Sequence, residues 1–259
     1  MRILICNDDG IHARGLRDLA LALSDLGEVT VAAPDRARSA SGHSITLHKP
    51  LRADRVTVPG ATEAYSVSGT PTDCVALALR HLLRERPDLV VSGINHGPNL
   101  GWDLTYSGTV AAAIEGALLG VPAMAISLAG RGIDLSFQHA ARCARLLGEA
   151  FCRRSIPPFT LLNVNVPWLG TQPPHGIQVT RQGKRRFDGG IVERQDPGGR
   201  PYYWLGGETP EDELTPGTDT RAIMDGFISV TPVHLNLTAV ELLPEIETWD
   251  LDSHWPRTT

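Results

Sequence analysis

Lysine is nearly missing from this chain: Lys49 and Lys184 are the only two. No Gly-Lys-Ser/Thr follows the Ser107-Gly108-Thr109 run, so that run is not a Walker A phosphate loop. It is not the G-x-G-x-x-G dinucleotide fingerprint either. A signalling receiver domain also sets paired acids after its first strand, but it needs a lysine after a later one. The strand expected at Ala123–Ser127 is followed by none. Cysteine is scarce too. Cys6, Cys74, Cys143 and Cys152 contain no C-x-x-C and no Cys/His cluster with zinc-finger spacing,. That pattern suits a reducing cytoplasm. No apolar run approaches the length of a membrane span, and no signal peptide precedes the first strand, so no membrane partner is expected. Positive charge is in deficit, with a net charge of −5, which argues against broad binding to nucleic acid or a membrane surface,. A small anionic substrate stays open, because a local metal overrides net charge.

What remains is ordinary globular composition, 42% hydrophobic and 20% charged,. A length of 259 residues fits one large α/β domain with an extension,. The chain is organised around Ile3-Leu4-Ile5-Cys6-Asn7-Asp8-Asp9-Gly10. Four apolar residues read as a strand buried on both faces, and Asn, Asp and Gly end it. Two carboxylates therefore sit on the loop leaving the carboxyl end of a buried strand, where open α/β sheets bind ligands. A solvated Asp-Gly turn is the plainer alternative. Leu16, Leu19, Ala20, Leu23 and Leu26 recur at helical spacing, with Gly27 as a C-terminal cap. Glu28–Ala33 is a second strand, which makes a right-handed parallel βαβ unit.

The loop from Asp35 to Ser44 carries hydroxyls, glycine and Arg36 and Arg38 on the same sheet edge. It is either a polar connector or a ligand-holding loop, with Ser39 among its oxygens. Short strands are expected at 45–47, 55–58 and 64–67, with a turn at Pro59-Gly60. Thr70 or Thr72 caps a helix whose first turn holds Pro71; it reads as a plain capped helix or an anion site. Leu89–Val91 is a strand that runs into a glycine-rich loop with Asn95 and His96, and Asp103 is a third acid nearby. Ser107-Gly108-Thr109 opens an Ala-rich helix, joining hydroxyls, free N–H groups and the positive helix end in a plausible phosphate cradle. Strands at 121–127 and 160–166 and a helix over 137–151 complete a core of residues 1–167. Residues 168–232 read as an arm of β-hairpins, with Ile177–Thr180 and Tyr202–Leu205 among its pieces. Phe227–Thr231 returns towards the core, and 233–259 form a closing segment with a short helix.

Three loops at the carboxyl ends of core strands thus offer Asp8, Asp9, Ser39 and Asn95. Carboxylate, hydroxyl and amide oxygens without a soft ligand suit Mg²⁺, Mn²⁺ or Ca²⁺ better than zinc. Beside a Ser-Gly-Thr helix start, such an ion has a use in phosphoester hydrolysis. A nucleotide-binding module without turnover would use the same loops.

The chain resembles the stationary-phase survival protein family, SurE, of metal-dependent nucleotidases and acid phosphatases. The resemblance runs from Met1 to about Thr238. It is carried by Asn7-Asp8-Asp9-Gly10, Ala33-Pro34-Asp35-Arg36 with Ser39, and Gly69-Thr70-Pro71-Thr72-Asp73-Cys74. Ser92-Gly93-Ile94-Asn95, Tyr106-Ser107-Gly108-Thr109-Val110, Pro201-Tyr202-Tyr203-Trp204 and Gly217-Thr218-Asp219 carry it further. It implies a Rossmann-like three-layer core with a mostly parallel sheet, and a C-terminal arm swapped in dimers or tetramers. It implies one divalent ion per subunit held by Asp8, Asp9, Ser39 and Asn95, with Asp8 and Asp9 catalytic. Ser107, Gly108 and Thr109 would bind the phosphate of nucleoside 5′- and 3′-monophosphates. Arg14 stands where the family often has Pro, Ala37 where it has Asn, and Asn236 where it has Asp. The first two bear on substrate preference and the third on assembly.

Overall fold

A computed structural model describes residues 1–130, 132, 135–186, 191–205 and 211–255. Strand β1 (Arg2–Cys6) opens the chain. Helix α1 (Arg14–Leu23) follows, with Leu16, Leu19, Ala20 and Leu23 as its buried stripe,. Next come β2 (Glu28–Pro34), β3 (Ala53–Val56) and β4 (Glu63–Val67). Helix α2 (Pro71–Leu77) starts on Pro71 behind a Thr70–Asp73 capping box,. Then β5 (Leu89–His96), α3 (Gly108–Leu118), β6 (Ala123–Ala129), α4 (Gln138–Phe151) and β7 (Thr160–Pro167) alternate. The remainder holds β8 (Ile177–Val179), β9 (Arg185–Arg186), β10 (Ile191–Gln195), β11 (Pro201–Leu205) and β12 (Glu211–Asp212). Helix α5 (Asp219–Met224), β13 (Ile228–His234), α6 (Leu243–Glu247) and α7 (Leu251–His254) close the chain.

Among the described residues, nine strands form one sheet in the order β3-β4-β2-β1-β5-β6-β7-β13-β8. The run from β4 to β7 is parallel, while β3 and β13 lie antiparallel to their neighbours β4 and β7. Alternation within β1 sends Ile3 and Ile5 towards α1 and α4, and Leu4 and Cys6 towards α2 and α3. Two apolar layers result, with the sheet between them, and this is the three-layer α/β core that the family resemblance implies. From β1 the chain steps to β2 on one side, while β5 pairs on the other. The carboxyl ends of β1 and β5 therefore flank a topological switch point, where the diverging loops leave a crevice.

The structure departs from the sequence reading in four places. Residues 45–47 form no strand, because the Thr46 N–H and hydroxyl both bond the Asp73 carboxylate, at 2.9 and 2.6 Å. The same carboxylate fills the start of α2, so that helix is plainly capped. Strand β5 continues through the glycine-rich stretch to His96, so Asn95 lies on a strand. Strand β8, expected in the arm, joins the main sheet parallel to β13. Helix α5 has only six residues, too few for periodicity to show it,. Outside the main sheet, β9 pairs with β12 and β10 with β11 as two small antiparallel sheets. No helix among the described residues is long and apolar enough to cross a membrane.

Candidate active site

Strand β1 delivers Asp8 and Asp9 to the crevice. Asn7 closes the strand by accepting the Gly10 N–H at 3.2 Å and donating to the Gly10 carbonyl at 3.0 Å,. The Arg38 N–H donates to the Asp8 carbonyl at 2.7 Å, which pins the loop after β2 here and sets Ser39 beside the acids. On β5, the pairing with β6 shifts register between Ser92 and Asn95. Gly93 takes φ +140° at that point and lies too close to the Ile126 carbonyl for any Cβ,. Such irregularities re-aim side chains, and Asn95 faces the crevice,. Its amide nitrogen donates to the Gly97 carbonyl at 2.8 Å, which leaves the amide oxygen for a ligand.

Helix α3 begins at the same edge. Ser107 caps it by accepting the Val110 N–H at 3.1 Å,. A Cβ on Gly108 would sit 2.8 Å from the Asp8 Cβ, so only glycine allows the helix to approach so closely. Thr109, expected at the phosphate, is fully buried and gives its hydroxyl to Asp8 Oδ1. That contact was missed, although a threonine two residues inside a helix near a carboxylate is the signal for it. Asp8, Asp9, Ser39, Asn95 and Ser107 line one crevice of about 320 Å³, with Asp103 and Tyr106 on its far wall. Gly108 and Thr109 back it from behind Asp8.

Burial pushes the Asp8 carboxyl up to about 6; hydrogen bonding from Thr109 opposes this and the charge of Asp9 adds to it,. Asp9 is also raised by burial, partly offset by the His96 backbone N–H at 3.2 Å. Among the described residues, no lysine or arginine forms an ion pair with either acid. Asp8 Oδ1 accepts the Thr109 hydroxyl and Asp9 Oδ2 the His96 N–H. Two desolvated neighbouring anions, a hydroxyl and an amide oxygen fit a hard divalent cation. No set of three or more His, Cys, Asp or Glu suited to a metal occurs among the described residues.

The far wall is braced from a distance. Asp103 pairs with Arg185 of β9 at 3.2 Å, and Arg185 also lies 3.3 Å from Asp212 of β12. Asp219 is fully buried and accepts N–H bonds from Gly101 at 2.9 Å and from Gly183 at 2.8 Å. Asn99 donates its N–H to Asn165 at 2.8 Å and accepts at its carbonyl from Asn163 and Asn165, each at 2.9 Å. Pattern reading missed Asn163 and Asn165 because they occupy core positions of β7. Arg14 lies outside this crevice, in an adjoining hollow of about 240 Å³ that shares Asp9 and His96 with it. A separate hollow of about 290 Å³ at the amino edge of the sheet is lined by Arg2 and Glu85, which pair with each other.

Fold and crevice together define a class: a doubly wound α/β protein with a hard-oxygen site at its switch point, next to an anion-favouring helix start. Residues 3–189 match the family described as Survival protein SurE. The chain belongs to that family. It is 50% identical over 254 residues to the 5′-nucleotidase SurE of Geobacter metallireducens, covering 96% of this chain and 98% of that one. It is 54% identical over 241 residues to 5′-nucleotidase SurE 1 of Thermus thermophilus, covering 92% and 94% of the two. The crystal structure of the Sure protein from Aquifex aeolicus superposes with a TM-score of 0.83 at 41% identity, covering 96% of this chain and 100% of that one.

Proposed function

We propose that the protein hydrolyses nucleoside 5′- and 3′-monophosphates to nucleoside and phosphate, using one divalent ion per subunit. The observation that carries this is the meeting of Asp8 and Asp9, which among the described residues have no lysine or arginine ion pair, with Ser39, Asn95 and Ser107 in one crevice. The names and near full-length identity of the relatives support the same reading.

Asp8, Asp9, Ser39 and Asn95 would hold the ion; Mg²⁺ and Mn²⁺ fit the set, as does Ca²⁺. When bound, it supplies positive charge against phosphoryl oxygens as charge shifts in the transition state. Asp8 holds its place through Thr109. The Ser107 hydroxyl in the crevice would bind the phosphate, with Gly108 and Thr109 at the helix start behind it, where the positive end of α3 adds to the attraction,. The attacking water would be activated by the ion or by an Asp carboxylate of this pair.

We divide the chain into a catalytic core of residues 1–167, an arm of 168–232 and a closing segment of 233–259. The arm would join subunits into a homodimer or homotetramer. In support, Ile191, Val192, Tyr203 and Trp204 of the β10–β11 hairpin are exposed, and a lone two-stranded hairpin is marginal in water,. A cytoplasmic setting is supported by four free cysteines,.

The test is phosphate release from a panel of nucleoside monophosphates by metal-stripped protein, with Mg²⁺, Mn²⁺, Ca²⁺ or Zn²⁺ added singly. Release should need an ion and vanish in Asp8→Asn. Nucleotide binding without release under any ion would instead identify a binding module, and full activity in Asp8→Asn would remove the ligand assignment.

A further inference from the structure

The hollow of about 240 Å³ that Arg14 lines adjoins the crevice and shares Asp9 and His96 with it. Leu135 and Phe137 in its lining are buried and packed into the core, so part of its surface is apolar and fixed. The Phe137 and His96 rings stand 6.4 Å apart at 78°, which makes a corner of two aromatic faces. Gly15 belongs to the same lining. A Cβ there would collide with the Ile94 carbonyl and fall 3.3 Å from Phe137 Cε1, so only glycine lets the start of α1 press this near to β5. That close approach brings Arg14 to the hollow.

Arg14 is poorly placed to serve its own helix. It is the first residue of α1, where the helix dipole repels a cation,. Among the described residues its ion pair is with Asp18, four positions on, at 3.9 Å, and Arg17 approaches the same carboxylate at 3.7 Å. A basic residue ahead of an acidic one is the weaker order for such a pair. Helix stability therefore gives no account of Arg14. Its guanidinium is more than half exposed and carries five N–H donors in a planar fork,.

The lining selects what fits. Asp9 is assigned to the ion, which leaves Arg14 as the charged group of the hollow. An aromatic corner suits a flat ring. A flat ring with two acceptors on one edge engages both prongs of the fork. Guanine has that edge in O6 and N7, whereas adenine sets an amino donor beside N7. An ester whose phosphoryl group sits in the crevice has this hollow next to its leaving group.

We propose that the hollow seats the base of the leaving nucleoside, and that Arg14 is a specificity-determining residue that favours 6-oxopurines, guanosine monophosphate above adenosine monophosphate. This rests on the phosphomonoesterase reading and names the preferred substrate class of that site.

The test compares kcat/KM for guanosine 5′-monophosphate, adenosine 5′-monophosphate and ribose 5-phosphate in wild type, Arg14→Ala and Arg14→Lys. Wild type should favour the guanine nucleotide over the adenine one about 10-fold, the size of one bidentate base contact. Arg14→Ala should lose that preference through a raised KM for the guanine nucleotide, and the loss should not extend to ribose 5-phosphate, which has no base. Arg14→Lys keeps the charge without the fork and should restore little of the preference. A wild type without the preference, or a preference that survives in Arg14→Ala, would overturn the inference and leave the nucleotidase reading intact. An equal fall for all three esters, or full recovery in Arg14→Lys, would overturn it by making Arg14 a general attracting charge. Should wild type release no phosphate with any ion, the nucleotidase reading fails, and calorimetric titration with the two nucleotides decides the contact. Tighter binding of the guanine nucleotide, lost in Arg14→Ala, would uphold it; equal affinities or no binding would overturn it.

Discussion

Replacing Asp8 by asparagine should stabilise the metal-free protein while disabling it. Burial holds the Asp8 carboxyl at about 6 against an ordinary 3.8. At ~1.4 kcal/mol per pH unit, keeping it ionised in the fold costs ~3 kcal/mol. The folded state thus binds the proton more tightly than the unfolded state does. Stability from this group is complete below pH 3.8, declines as pH rises to about 6, and is absent above that,. Asparagine has nearly the same shape, never ionises, and offers Thr109 an acceptor oxygen. With chelator at pH 8, Asp8→Asn should therefore melt higher than wild type, by roughly 5–10 °C for a chain of this size. At pH 4 the two should nearly coincide. A divalent ion at pH 8 should then reverse the order, because only wild type keeps both carboxylates to bind it. Melting curves followed by circular dichroism at the two pH values, with chelator or Mg²⁺, contain every comparison. A variant that melts below wild type in chelator at pH 8, or gains as much from Mg²⁺, would refute the reasoning about the buried pair.

Thr109→Val removes the hydroxyl from Asp8 at nearly constant volume; the ion should bind ~10-fold more weakly by calorimetric titration, as expected for a lost bond to a charged group. Gly108→Ala places a methyl against the Asp8 Cβ and should abolish phosphate release while circular dichroism stays native. Arg185→Met leaves Asp103 and Asp212 without their shared cation and should cost about 3 kcal/mol in urea denaturation. The same variant should raise the KM for nucleoside monophosphates, because Asp103 stands on the crevice wall.

The central strands were legible because each is a short apolar run ended by Asn, Asp, Gly or Pro. Asp8 and Asp9 announced themselves by interrupting one such run at its carboxyl end. Asn95 was found through its residue type but placed on a loop, because Gly93 disguises a strand that continues past it. What sequence could not give was the partner of each group. Thr109 reads as a helix-start hydroxyl whether it faces a phosphate or an aspartate 101 positions away in the chain. Asp219 belongs to a recognisable Gly-Thr-Asp run, yet its reason for being there is the Gly101 N–H, which only folding brings near. Strand β8 was misplaced for a similar cause: three residues in a proline-rich stretch carry too little pattern to name the sheet they join,.

The switch point between β1 and β5 has a consequence for how the molecule is made. Residue 3 must find residue 89 before the two strands can lie side by side, and Asp8 meets Thr109 only later in the chain. A ribosome adding residues in order has therefore exposed both carboxylates long before anything exists to flank them. The crevice wall waits longer still, for Asp219. Function here is a property of chain closure, with the first ten residues idle until the last fifth has emerged.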